Sequence, residues 1–170
     1  MVTGAISIRG EQPSDIAAIH AVEAAAFGRE AEARLVDALR DLNNQFISLV
    51  ARQNTHVVGH VCFSRVVIQG SLDDVIILAL APLAVHPEHQ GRGIGSMLVR
   101  SGLDECRRRT VGAIFVVGDP GYYFRFGFAP ASERGIRCEF DVPADAFRVI
   151  ELHAGTLRAG LLKYPPPFHG

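Results

Sequence analysis

Cysteine is scarce in this chain of 170 residues, with Cys62, Cys106 and Cys138 the only three. An odd, sparse set without CxxC spacing argues against both a disulfide framework and a zinc knuckle. Excess charge of either sign is also missing. The 17 basic and 18 acidic residues leave a formal net charge of −1, which points to neither nucleic acid nor an anionic membrane as a partner. The one dense basic run, Arg107-Arg108-Arg109, ends a helical pattern and is read as complementing the helix dipole. Long hydrophobic runs are absent. The longest, Val75 to Val85, has 11 residues and contains Pro82, too short for a membrane span and suited to a buried strand. No n-region, h-region and cleavage pattern opens the chain, so a reduced, soluble, cytoplasmic protein is expected.

What is present is ordinary in bulk. Apolar residues make up 48% and charged ones 21%, enough for a single domain over 1–170 with a real core. "AISIRG" alternates like a short strand, and "QPSDIAAIHAVEAAAF" reads as a helix with Ile16, Ile19 and Ala26 on one face. Gly28 separates it from a second helix carrying Leu35, Leu39 and Leu42 at helical spacing. "FISLVAR" and "THVVGHVCFSRV" form a predicted hairpin. "DVIILALAPLAV" suits a central strand covered on both faces. A helix from about Gly93 to Arg109 comes next, with Ile94, Met97, Leu98 and Cys106 on its inner side, and "GAIFVVG" is another buried strand. Arg148 to Leu152 and Thr156 to Leu162 suggest a late hairpin within a strand-rich arm over 132–170. The tail "YPPPFHG" reads as extended and superficial. The order of elements predicts an α/β or α+β domain around one twisted sheet.

The glycines of "HPEHQGRGIGSML" call for an explanation, since glycine in a helix costs about 1 kcal/mol against alanine. Strand, glycine-rich turn and helix N-terminus make an anion site. First-turn N–H groups lack helical partners, and glycine keeps Cβ atoms away from a phosphate that approaches them. A Walker A loop needs GxxxxGK[ST], which is not present. A dinucleotide fingerprint needs a third glycine where Ser96 stands. Both readings fit poorly.

Gln90-Gly91-Arg92-Gly93-Ile94-Gly95 resembles the Q/R-x-x-G-x-G/A signature of the GNAT superfamily of N-acetyltransferases. "YYFRFGF" is similar to the aromatic segment after the next strand in that family, and the order of elements matches from about Ile6 to Ala131. The resemblance implies a central twisted mixed sheet flanked by helices, acetyl-CoA as co-substrate and no metal. By the same resemblance, the backbone of Gly91, Arg92, Gly93, Ile94, Gly95 and Ser96 with Gln90 would cradle the coenzyme A pyrophosphate, and Arg92 would add a side-chain contact. Leu83, Ala84 and Val85 would present strand-edge groups to the pantetheine arm, with Pro82 marking the bulge where two strands part.

The chemistry implied is direct transfer of acetyl to a primary amine on a small molecule or peptide. Tyr123 falls on the family position of the general acid, and its ordinary pKa near 10 keeps it protonated. A strand-edge amide, that of Val85 or a neighbour, would hold the developing oxyanion. The general base is not readable. Glu23 is read as a solvated helix-face carboxylate and His60 as a hydrogen-bonded structural histidine, with the acceptor side as the alternative for Glu23 and, for His60 with Ser64, the cleft wall. His86 and His89 lack HExxH spacing, which argues against a metal site. Asp73-Asp74 reads as a turn, and Asp119 stands where many relatives have asparagine. The alternatives are a non-catalytic acyl-CoA-binding or regulatory module, and glycines that serve tight packing only. Dimers are common in the family, and the sequence leaves the assembly state and the acceptor open.

Overall fold

A computed structural model describes residues 4–43, 46–71 and 74–170. The chain forms two compact units. The first runs up to Phe63 and resumes over Pro82–Leu103, while the second takes Ser64–Ala81 and Asp104–Gly170. Two strands, β3 (His56–Ile68) and β4 (Ile77–Val85), pass from one unit into the other.

In the first unit, β1 (Ile6–Gly10) pairs antiparallel with β2 (Ile47–Gln53), and β2 with β3. The predicted β2–β3 hairpin is present, registering Ile47 with Phe63, and Asn54 takes the left-handed conformation at its turn. Helix α1 (Ile16–Phe27) stops at Gly28, whose φ of 67° is left-handed, and α2 (Ala31–Leu42) comes after it. Ile19, Val36 and Val50 form the buried contact of both helices with the strands. Helix α3 (Ile94–Arg108) approaches β3 closely: a Cβ built on Gly102 would lie 2.3 Å from the Phe63 ring. Its buried face carries Ile94, Leu98, Val99, Leu103 and Cys106. Met97, expected inside, is 36% exposed. It lies on the same side of Leu98 as Ile94 but further round, while Val99 and Leu103 turn the buried face the other way.

In the second unit, β4 runs parallel to β5 (Ala113–Val117), from Ile77↔Ala113 to Ala79↔Phe115. Strand β5 also pairs antiparallel with β8 (Phe147–Glu151), which pairs in turn with the two-residue β6 (Ala129–Pro130). Strand β9 (Gly160–Lys163) pairs antiparallel with the end of β3 and parallel with β7 (Ile136–Cys138). Phe115 stacks on Phe147 at 5.6 Å within a core that includes Val66, Ile136, Val149 and Leu162.

The structure corrects two expectations for the arm. The late hairpin does not form, because β8 is taken by β5 and β6 while β9 belongs to β3 and β7. The intervening turn instead folds back on Gly112, whose carbonyl accepts from the N–H groups of Leu152 and His153. Nor is the tail extended: Pro166–His169 form a 3-10 turn, and the Phe168 ring lies 5.1 Å from that of Tyr164. The turn expected at Asp73-Asp74 includes Asp73, which lies outside the described residues.

The expectation for Glu23 is also corrected: it is not solvated but 0% exposed. Its Oε2 lies 2.7 Å from His60 Nδ1, and His60, equally buried, reaches Ser48 Oγ at 2.7 Å through Nε2. Ser48 donates its one hydroxyl proton to Glu11 Oε1 at 2.7 Å, so its oxygen accepts from His60. His60 Nε2 is thereby the donor to Ser48. Burial pushes the Glu23 carboxyl above its ordinary range against the pull of His60, and its other oxygen, Oε1, is buried with no hydrogen-bond partner among the described residues. At the far end, Arg40 grips Glu11 through two nitrogens at 2.7 and 2.8 Å. Burial works against ionising Glu11, but the bonds from Arg40 and Ser48 outweigh it and hold its carboxyl below the ordinary range.

Removing a partner from such a column leaves buried polar groups unmatched. His60→Ala is expected to destabilise the chain by about 3 to 5 kcal/mol in urea unfolding, and a double Glu23→Leu, His60→Leu variant by less than the sum of its single changes. A loss below about 1 kcal/mol for His60→Ala would show that the column is not a structural support.

Candidate active site

Two groups of predicted site residues emerge, one in each unit. In the first unit, the end of β4 turns through a 3-10 segment, Pro87–His89, into the start of α3. Side chains fix this path. His86 Nδ1 accepts from the Glu88 N–H at 3.2 Å, and Gln90 Nε2 donates to the Val85 carbonyl at 2.9 Å. The His86 N–H bonds Val58 O at 2.9 Å, which carries the line of β4 onward against β3. Gly91 and Gly93 have φ of 79° and 81°, left-handed values that an L side chain adopts only under strain. A Cβ on either would meet no atom within 4 Å. Tight packing therefore does not account for these two glycines; they border open space. Arg92 between them is exposed, and Ile94 and Ser96 are buried. At the head of α3 the Met97 N–H bonds Gly93 O at 3.1 Å, so the helix start turns its earlier N–H groups and its positive dipole end toward the glycine turn. This geometry can hold a diphosphate-sized anion.

Tyr123 belongs to the second unit, on the short helix α4 (Pro120–Phe124). Asp119 caps that helix, accepting from Gly121 N at 2.8 Å and Tyr122 N at 3.3 Å. The cap gives a structural reason for an acidic residue at this position. The Tyr123 ring lies so close to Gly118 that a Cβ there would sit 2.4 Å from its Cε2. It meets Tyr122 and Phe128 edge-on at 5.0 and 5.7 Å and is 8% exposed. Burial, with Tyr122 beside it, pushes the phenol well above its ordinary value of 10. Tyr122 is half-buried, with the Arg125 guanidinium 4.6 Å over its ring.

The remaining candidates sort by burial. His60 is hydrogen-bonded at both nitrogens, as a structural histidine should be. Ser64 Oγ is buried with no hydrogen-bond partner among the described residues. Burial raises all three thiols, Cys62 most strongly and Cys106 up to about 12, so none is a ready thiolate nucleophile. Among the described residues no group of three or more His, Cys, Asp or Glu could hold a metal, and no helix is long and apolar enough to cross a membrane. Sequence reasoning missed Glu11, Arg40 and Ser48. The available signal was the hairpin register, which puts Ser48 diagonally beside His60.

Comparison with known proteins converges on one family. The model of the Acetyltransferase (GNAT) family matches residues 15–128. The chain is 36% identical over 165 residues to YhbS of Escherichia coli K12, an uncharacterized N-acetyltransferase, covering 95% of this chain and 98% of that one. YjhQ, an uncharacterized N-acetyltransferase of the same strain, is 38% identical over 135 residues, covering 78% of this chain and 75% of that one. Among solved structures, that of Escherichia coli YhbS in complex with CoA matches with a TM-score of 0.91 at 34% identity, covering 100% of this chain and 94% of that one. A GNAT acetyltransferase from Brucella melitensis in complex with acetyl-CoA matches with a TM-score of 0.81 at 33% identity, covering 96% and 98%. With its mixed sheet flanked by helices, and with the strand, glycine turn and helix that the signature marks, the chain belongs to the GNAT family of N-acetyltransferases.

Proposed function

We propose that residues 1–170 act as a single N-acetyltransferase domain that moves acetyl from acetyl-CoA directly onto a primary amine. The observation that carries this reading is the bare turn at Gly91 and Gly93, open to solvent at the start of α3. Relatives with the same architecture are seen with CoA and acetyl-CoA, and the turn fits a pyrophosphate. In this reading the backbone from Gly91 to Ser96, with Gln90 holding the end of β4, receives the diphosphate, and Arg92 adds charge. Leu83, Ala84 and Val85 line the pantetheine arm, with the Val85 amide facing the charge that develops on the carbonyl oxygen.

Bound acetyl-CoA supplies an activated thioester, at which a C–N bond to the amine forms as the C–S bond breaks. Tyr123 then gives its phenolic proton to the leaving sulfur and is reprotonated by the proton the amine nitrogen sheds. Burial keeps the phenol protonated in the resting site. The raised thiols support transfer without an acetyl-cysteine step.

Tyr123→Phe is expected to lower kcat about a hundredfold or more while leaving the acetyl-CoA dissociation constant within about twofold; an unchanged kcat rejects the acid role. Since the acid must be protonated and its pKa is raised, wild-type kcat should hold as pH rises through 10, the ordinary tyrosine value. Gly118→Ala should reduce kcat as well, by displacing the Tyr123 ring it cannot accommodate. In the other unit, Gly93→Val should abolish acetyl-CoA binding in calorimetry, with circular dichroism confirming a folded chain. Tight binding by that variant would refute the cradle.

A further inference from the structure

A cavity of about 300 Å³ opens within the second unit, walled by Leu80 of β4, Val117 of β5, and Phe140, Val142, Tyr164 and Phe168 of the arm. None of its lining residues is charged. Its walls are apolar surface that the protein leaves uncovered: Val117 is 42% exposed, and the three aromatic residues are only half-buried. The rings pack on one another, with Phe140 and Phe168 each 5.1 Å from Tyr164 and the His169 ring 5.1 Å from Phe140. The Glu139 carboxylate accepts from the Tyr164 backbone N–H and pairs with Lys163 Nζ at 3.2 Å, so its charge is already answered.

The position of the cavity is as informative as its lining. The parallel pairing of β4 with β5 ends at Ala79↔Phe115, and the cavity extends from there along Leu80. Ligands of open α/β sheets bind beyond the carboxyl ends of parallel strands. Val117 is the last residue of β5, and Gly118 next to it carries the ring of Tyr123. Cavity and proposed proton donor therefore share one strand end.

We propose that this cavity receives the body of the acetyl acceptor, and that the acceptor is a primary amine on an aromatic, uncharged frame, an arylalkylamine. The inference rests on the acetyl-transfer reading. A polyamine, a free amino acid or an aminoglycoside would bring charges or many polar groups against walls that offer no counter-charge. An aromatic ring fills a pocket of this size and chemistry without leaving a polar group unmatched.

The test measures thiol release from acetyl-CoA with phenethylamine, spermidine, lysine and kanamycin, alongside calorimetry of acetyl-CoA alone. Phenethylamine is expected to exceed the others in kcat/KM by about a hundredfold or more. Phe168→Ala should lower kcat/KM for phenethylamine about tenfold, and Val142→Trp, which fills the cavity, by at least as much, with acetyl-CoA affinity held. Should Phe168→Ala fail to fold, Val142→Trp decides alone. If acetyl-CoA binds and spermidine, lysine or kanamycin is acetylated as well as phenethylamine, the acceptor assignment is wrong while the transfer reading stands. If acetyl-CoA binds and none of the four amines is acetylated, the arylalkylamine assignment is wrong, and the transfer reading falls only if a panel of peptide amines is left unacetylated as well. Both variants keeping wild-type kcat/KM would also overturn it.

Discussion

Four elements of the first unit and the loop after β1 meet at one column of hydrogen bonds, from Glu23 on α1 through His60 and Ser48 to Glu11 in that loop and Arg40 on α2. Each bond depends on the next, and the Oε1 of Glu23 ends the column buried without a hydrogen-bond partner among the described residues. The column continues outward from Arg40 to Asp37, and from Asp37 to His20. A buried polar chain of this kind contributes less to net stability than to uniqueness: helices that slid on their apolar faces would strand several polar atoms at once. It is the constraint that sets α1 and α2 against β2 and β3.

Holding those strands also holds the seat of α3. Gly59 on β3 lets the Leu98 and Ile94 side chains of α3 come within about 3 Å of where its Cβ would be. The position of α3, and with it the glycine turn at its start, thus depends on a small residue on a strand that the polar column holds. In the second unit the corresponding device is Gly118, which the Tyr123 ring covers. Both cases use the same physics, a missing Cβ that allows a side chain to settle against a strand.

Local signals in the sequence are readable, and distant ones are not. The β2–β3 hairpin and the stop of α1 at Gly28 arise from alternation and from turn chemistry carried within a few residues. The glycine turn and Tyr123 are readable because their motifs are short and ordered. Strands β8 and β9 look like hairpin arms by spacing, yet their partners lie on β5, β6, β3 and β7, and no local pattern records that choice. Glu23 looks solvated in sequence because α1 is so rich in alanine that its faces are hardly distinguished. Its partner His60 is 37 residues away. The cavity walls leave no local signature at all, since Phe140 and Phe168 become neighbours of Tyr164 through tertiary packing alone.

The bond from Gln90 to the Val85 carbonyl has a thermodynamic consequence. Together with the His86 cap on Glu88 and the contact of His89 with Gln53 at 3.1 Å, it holds the connection between β4 and α3 in a defined shape through the chain's own side chains. A loop already ordered gives up little conformational entropy when an anion arrives. Association with such a loop is governed by encounter and desolvation, and the binding heat reports contacts made, with no share spent on folding a disordered segment.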